Sequence, residues 1–371
     1  MGQIKPEIEA FARIKVIGVG GSGLNAVDHM IRNKVKGVDF IGVNTDAQAL
    51  HHSLSPKLIH IGKNLTRGLG AGMNPDIGRQ AAEETKNEIQ EAVKGADMLF
   101  VAGGFGGGTC TGAAPIVART AKEQGVLTVA VITMPFSFEG AQRMRIAQDG
   151  LATLKESVDA MIVIPNDRLL NIVGKETTFL SAFALCDDVL KQAVQGISDL
   201  ITMPGIINVD FADVKAILQD AGSALMGIGS AQGDKRSEDA ARLAISSPLL
   251  DFSIEGAKGV LFAIAGGQDM TMNEIQESAK IITESIDLNA KVIFGAFQDN
   301  RLKKNELKVT VIASGFPDII QKLSKDAKAI QSGEKDAKKE EHSNKNSTSL
   351  GNQEDNEWDA IPAFLRRNKK I

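Results

Sequence analysis

Ten consecutive residues, Gly103-Gly104-Phe105-Gly106-Gly107-Gly108-Thr109-Cys110-Thr111-Gly112, contain six glycines. They follow an apolar run, Met98 to Ala102, that reads as a strand, and precede an Ala-rich segment, Gly112 to Gln124, that reads as a helix. A backbone with so few Cβ atoms turns several successive N–H groups toward one anion, and a helix beginning near Gly112 adds the positive end of its dipole. The loop is therefore a candidate cradle for β- and γ-phosphates, against the plain alternative of a flexible turn. Gly18-Val19-Gly20-Gly21-Ser22-Gly23 satisfies the G-x-G-x-x-G pattern between a strand and a helix, and Gly68-Leu69-Gly70-Ala71-Gly72-Met73-Asn74 forms a third glycine loop before a helix. The lysine-bearing pattern G-x-x-x-x-G-K-[ST] occurs nowhere, so any nucleotide is held without that cradle.

Short β-branched runs alternate with longer Ala-rich, charged segments from Arg13 onward, the rhythm of a parallel sheet with crossover helices. Strands are expected at Lys15 to Val19, Phe40 to Asn44, Met98 to Ala102, Thr128 to Thr133 and Met161 to Ile164. Helices are expected at Gly23 to Asn33, Pro75 to Lys94, Gly112 to Gln124 and Gln142 to Ser157. The fold class is α/β: a doubly wound parallel-sheet nucleotide-binding domain over 12–175, then a long central helix within 176–204. A second, smaller α/β domain spans 205–317, with four strands and two longer helices, Glu238 to Ser246 and Met272 to Ser285. Residues 318–356 are polar, charged and poor in apolar side chains, which predicts a disordered linker. The aromatic and aliphatic island at 357–371 reads as a docking peptide, or as a segment folding back on its own domain.

Composition narrows the function. Lys plus Arg total 42 against 46 Asp plus Glu, a net charge of −4, so no general basic field is available to hold nucleic acid. Two cysteines, Cys110 and Cys186, and a first stretch without a secretory apolar core make a reducing cytoplasm the expected location. No apolar run approaches the ~20 residues that cross a bilayer, which argues against stable membrane insertion. A nicotinamide enzyme is the competing class for Gly18 to Gly23, but its ribose-binding acid is wanted where Asn44 ends the second strand.

GGGTCTG at Gly106 to Gly112 resembles the tubulin signature of the tubulin/FtsZ family of GTPases, in its bacterial cell-division branch. The resemblance continues through NTDAQAL at Asn44 to Leu50, GLGAG at Gly68 to Gly72, FEG at Phe138 to Gly140 and IPND at Ile164 to Asp167. It ends with NVDFADV at Asn208 to Val214 and IPAFLRR at Ile361 to Arg367. It implies a GTP-driven polymer that builds a division ring at midcell, with magnesium accompanying the nucleotide. Gly21, Ser22, Gly23, Leu24 and Asn25 would then underlie the α- and β-phosphates, with Ala71 in the third loop. Gly104, Gly106, Gly107, Gly108, Thr109 and Cys110 would approach the γ-phosphate. Glu139 and Arg143 would serve ribose and phosphate, their plainer role being an i,i+4 ion pair. Asp187 would accept the N–H donors of guanine's edge, with Asn166 beside it and Phe183 packing on the base.

Cys110 departs from the glycine usual in this signature, and three outcomes are open: a Cβ that crowds the nucleotide, a thiol made reactive by a helix N-terminus, or a tolerated small side chain. Catalytic acids are sought in the segment Asn208-Val209-Asp210-Phe211-Ala212-Asp213. Asp210 and Asp213 share one face of an opening helix there, or simply cap it and favour its dipole. The resemblance implies that Asn208, Asp210 and Asp213 enter the nucleotide pocket of the next subunit, completing each site in a head-to-tail homopolymer. It also implies that Ile361, Pro362, Phe364, Leu365 and Arg366 engage division adaptors of the FtsA, ZipA or SepF type.

Overall fold

A computed structural model of the chain describes residues 12–170, 178–247, 254, 256–299 and 301–316. The expected linker and docking peptide lie outside the described residues. The first half runs β1 (Ile14–Val19), α1 (Gly20–Arg32), β2 (Val38–Asn44), α2 (Ala47–His52), β3 (Lys57–His60), α3 (Lys63–Thr66), α4 (Pro75–Glu84) and α5 (Lys86–Val93). It continues with β4 (Met98–Gly104), α6 (Thr109–Lys122), β5 (Leu127–Met134), α7 (Ala141–Lys155), β6 (Ala160–Pro165) and α8 (Asn166–Leu170). The central helix is α9 (Phe179–Thr202). Beyond it come β7 (Gly205–Ile207), α10 (Phe211–Leu218), β8 (Gly222–Gln232), α11 (Arg236–Ile245), β9 (Gly259–Gly266), α12 (Met272–Glu284), β10 (Lys291–Gln298) and β11 (Glu306–Ser314).

The strands of the first half are parallel and ordered β3-β2-β1-β4-β5-β6, the doubly wound arrangement whose crossover direction reverses between β1 and β4. Helices cover both faces, which is why β4 and β5 read as continuous apolar runs and not as alternating ones. The second half adds β8-β11-β9-β10-β7 to the same sheet with mixed pairing. The join is short: only Ala160 to Ile162 pair with Gly222 to Ala224. Val189, Val194 and Ile197 of α9 pack in one core with Val129 of β5 and Ala263 and Ile312 from the second half. From Val189 to Leu200 the apolar face of α9 is thus buried between the two halves, as its sequence anticipates, whereas Leu180 near its start is exposed.

Three departures from the sequence expectation have local causes. The single helix expected over Pro75 to Lys94 is broken at Thr85 (φ −109°, ψ 17°), whose hydroxyl donates to the Ala81 carbonyl and accepts from the Gly62 N–H, each at 3.2 Å. A buried Thr that can satisfy backbone groups on both sides interrupts a helix its neighbours would otherwise continue. The helix expected from Gly112 starts instead at Thr109, so the last glycine of the signature is interior to it. A Cβ at Gly112 would sit 1.9 Å from the Pro75 carbonyl oxygen, so glycine there is what lets α4 lie directly against α6. Finally, α10 is a third helix of the second half, short but real.

Candidate functional site

A cavity of about 300 Å³ opens where the C-terminal ends of β1, β4, β5 and β6 meet, at the reversal point of the sheet. Doubly wound sheets bind ligands at this place because adjacent loops diverge there. Two helices, α1 and α6, begin on it, so two sets of unpaired backbone N–H groups face one volume.

Gly21, Ser22 and Asn25 of α1 and Gly104, Gly107, Gly108, Thr109 and Cys110 of the second loop line this end. Ser22 Oγ accepts from the Gly104 N–H at 2.7 Å and straps the two glycine loops together. Gly106, in the left-handed region (φ +97°), donates its N–H to Thr111 Oγ1 at 3.0 Å, which folds the loop back onto its own helix. The NTD motif braces the same loop from behind: Asn44 Oδ1 accepts from the Thr45 N–H at 2.9 Å, and the Thr45 and Thr109 hydroxyls lie 2.7 Å apart. Gly23, Leu24, Ala71 and Gly106 support the walls without lining the cavity. Gly23 lies under Gly18, Leu24 faces Gly42, and Ala71 is buried against Gly108.

The other end is built for a flat, polar-edged group. Phe183 of α9 is one-third exposed on the cavity and meets Phe136 edge-on at 5.3 Å, and Phe136 in turn stacks on Phe138 at 5.0 Å. One turn beyond Phe183, Asp187 lines the wall, and burial pushes its carboxyl up to about 6 against the opposing pull of His29 and Arg32. Asn166 at the tip of β6 is buried, and its Oδ1 has no hydrogen-bond partner. A buried acceptor without a donor costs about 1 to 3 kcal/mol, which an N–H-bearing ligand would offset. Glu139 accepts from the Phe136 N–H at 2.9 Å and is ion-paired with Arg143, and both line the cavity. The two do not share a helix as the i,i+4 spacing suggests, since Gly140 (φ +99°) separates a short 3-10 turn from α7. Gly20, Phe105, Thr133, Met134, Pro135, Cys186 and Leu190 complete the lining.

Cys110 is resolved against two of its three sequence readings. It is the second residue of α6, with helical backbone, so no left-handed conformation is blocked. Its side chain is 4% exposed and turned into the core, with Sγ occupying the space a Cβ on Gly103 would need (2.4 Å). Burial pushes the thiol well above its ordinary range, which favours the tolerated-side-chain alternative over a reactive thiolate: desolvation there outweighs the helix N-terminus.

Asn208, Asp210 and Asp213 are exposed, and none of them lines the cavity. Asn208 Oδ1 accepts from the Gly205 N–H at 2.7 Å, and Asp210 caps α10 by accepting from the Ala212 N–H at 3.3 Å, so the capping role is real. Lys215 and Gln219, at the far end of α10, sit beside Gly125 to Leu127, where β5 begins. Lys122 fixes that end, with Nζ 2.8 Å from Asp220 and 3.1 Å from Asp159. The cavity lies at the opposite end of β5, roughly 25 Å away at the ~3.3 Å rise of a strand, whereas the eight residues of α10 span only about 12 Å. Asp187 on the cavity wall lies near the start of α9 and the acids follow its end, with about 22 Å of helix between Asp187 and Thr202, so the acids stand away from this chain's own cavity.

Comparison with known proteins matches this geometry. The model of the Tubulin/FtsZ family GTPase domain fits residues 13–174, and that of the FtsZ family C-terminal domain fits residues 222–317. An FtsZ from M. jannaschii, solved as an empty dimer, is 44% identical and superposes with a TM-score of 0.79 over 83% of this chain and 89% of that one. At 22% and 21% identity, CetZ1 and CetZ2 from Haloferax volcanii share the fold, with TM-scores of 0.74 over 86% and 0.72 over 87% of this chain, each covering 99% of the other. The chain belongs to the FtsZ branch of the Tubulin/FtsZ family, the polymerising GTPases of the cell-division cytoskeleton.

Proposed function

We propose that the cavity holds GTP with its phosphates on the two glycine loops and its base between Phe183, Asn166 and Asp187, and that the next subunit completes it for hydrolysis. The observation that carries this reading is the placement of the Asp187 carboxylate on the same cavity wall as Phe183 and Asn166, an acceptor for the donors of a guanine edge in a cavity onto which two helix N-termini open. Gly21 to Asn25 lie under the α- and β-phosphates, Gly104 and Gly106 to Cys110 reach the γ-phosphate through backbone N–H groups, and Ala71 closes the loop beside them. Glu139 and Arg143 serve the ribose and phosphates. Magnesium enters as the triphosphate's counter-ion, since among the described residues no group of three His, Cys, Asp or Glu is placed to hold a metal. The GDP bound by CetZ1 and the GTPγS bound by CetZ2, on the same fold, support the assignment of nucleotide.

Catalysis needs an acid to position the attacking water, and the cavity's own walls supply phosphate binding instead. Asn208, Asp210 and Asp213 follow the end of α9 remote from Asp187, and a head-to-tail contact would bring them over a neighbour's cavity. Such a contact repeats without closing and yields a filament, the form named for CetZ2. Loss of the γ-phosphate then weakens that contact. The polymer forms in the cytoplasm at midcell, tethered through Ile361, Pro362, Phe364, Leu365 and Arg366 to adaptors of the FtsA, ZipA or SepF type. Among the described residues no helix is long and apolar enough to cross a membrane, which fits recruitment through such adaptors. Sedimentation tests the base assignment: filaments pellet with GTP and magnesium and not with ATP, and equal polymer with ATP would refute the role of Asp187.

A further inference from the structure

Asp187 sits on α9, but the residue that fixes its stretch of α9 against the phosphate-binding helix lies outside the cavity. Gly21, Ser22 and Asn25 of α1 face the cavity, and His29 follows Asn25 by one turn on the same stripe. There α1 packs against α9, and His29 Nε2 lies 3.3 Å from Asp188 Oδ1. An ionised carboxylate only accepts, so the ring nitrogen is the donor. Asp188 also accepts from Lys191 and, at 2.6 Å, from Gln192 Nε2. Burial pushes the Asp188 carboxyl up, but its hydrogen bonds with Lys191, His29 and Gln192 prevail and hold it below the usual carboxylate range. The two adjacent aspartates thus divide their work. Asp188 is bonded by donors from two helices, and Asp187 is left on the cavity wall, where His29 and Arg32 oppose the upward push of burial on its carboxyl.

We propose that His29 is a positioning residue for guanine selection, tying α9 to α1 through Asp188 so that the Asp187 carboxylate is held at the base while the start of α1 holds the phosphates. The proposal rests on Asp187 reading the base. One helix of thirteen residues, roughly 20 Å long, then registers both ends of the nucleotide against each other.

The test is nucleotide preference in the full-length protein, measured as dissociation constants for GTP and for xanthosine triphosphate, which carries a carbonyl oxygen where guanine has its amino group. A carboxylate at that position attracts the first and repels the second, so the ratio reports its placement. Asp187→Asn should collapse the preference for GTP. His29→Ala should reduce it by about tenfold, through weaker GTP binding together with stronger xanthosine triphosphate binding, the size expected for losing one hydrogen bond to a charged group. His29→Gln, whose amide N–H reaches the same carboxylate, should restore most of it. Equal weakening of both nucleotides by His29→Ala would show a merely structural role and overturn the proposal, as would no change in either. An unchanged preference in Asp187→Asn would refute the base reading itself, and the proposal would fall with it.

Discussion

Cys110→Gly restores the residue usual in the family signature, and the structure makes its outcome calculable. The side chain is buried in the core beneath Gly103 and does not project among the phosphates. Removing its Cβ and Sγ forfeits roughly 1.5 to 2 kcal/mol of transfer free energy, to which the void and the poorer helix propensity of glycine each add a few tenths. The sum, about 2 to 3 kcal/mol, corresponds to a fall in Tm of roughly 4 to 12 °C at the 2 to 4 °C per kcal/mol of a domain of about 150 to 250 residues. Turnover at saturating GTP should not rise. Thermal unfolding with and without GDP, alongside steady-state phosphate release at a temperature where both proteins are folded, measures both quantities. A variant that hydrolyses faster with an unchanged Tm would mean that the thiol crowds the nucleotide after all. The same burial, with a thiol pushed far above its ordinary range, predicts that alkylating reagents leave Cys110 unmodified even without nucleotide in a Cys186→Ala background.

Other outcomes follow from the same geometry. Guanine donors stabilise ionised Asp187, whose carboxyl is raised to about 6 in the free protein, so GTP affinity should hold above pH 6 and fall by up to tenfold per unit below it. Calorimetric titration from pH 7.5 to 5 should show this slope and Asp187→Asn should lack it; a flat wild-type profile would remove the carboxylate from the base site. The sign for folding is opposite, because a carboxyl whose folded pKa is raised adds stability as pH falls through 6 toward its unfolded value. Deleting Trp358 to Ile371 should leave GTP-dependent sedimentation nearly unchanged while abolishing recruitment to adaptor-coated vesicles, and retained recruitment would put the docking surface on the folded domains. Gly112→Ala should unfold or severely destabilise the GTPase half, since its Cβ would overlap the Pro75 carbonyl; a normal Tm would contradict the close approach of α4 and α6.

The parallel half of the fold was legible because its signals are local. Apolar runs mark β1, β4 and β5, and the glycine loops sit where strands give way to helices. Less legible were features set by tertiary contact. The break at Thr85 depends on a hydroxyl satisfied by Gly62, a residue far off in sequence, and the three-residue pairing of β6 with β8 that joins two expected domains into one sheet has no sequence periodicity of its own. In the site, Asp187 and Asp188 look equivalent in sequence. Which one faces the cavity depends on how α9 packs against α1, where His29 meets Asp188 and leaves Asp187 on the cavity wall. The three readings of Cys110 stayed open in sequence for the same reason, since the helix start at Thr109 and the space over Gly103 decide where its thiol points.

The central claim is that two molecules make one catalytic site, and complementation tests it directly. Asp213→Ala keeps its cavity and lacks the acid, whereas Gly21→Trp keeps the acid and fills its own cavity. A Cβ at Gly21 meets nothing within 4 Å, so the bulk enters the phosphate space without disturbing the fold. Each variant alone should be inactive in phosphate release, with Asp213→Ala still binding GTP. Mixed one to one, contacts that seat the acid of Gly21→Trp over the GTP-filled cavity of Asp213→Ala restore intact sites, so turnover should rise well above that of either variant alone. A mixture as inactive as its components, in filaments shown to contain both, would mean that each chain completes its own site and would contradict the account.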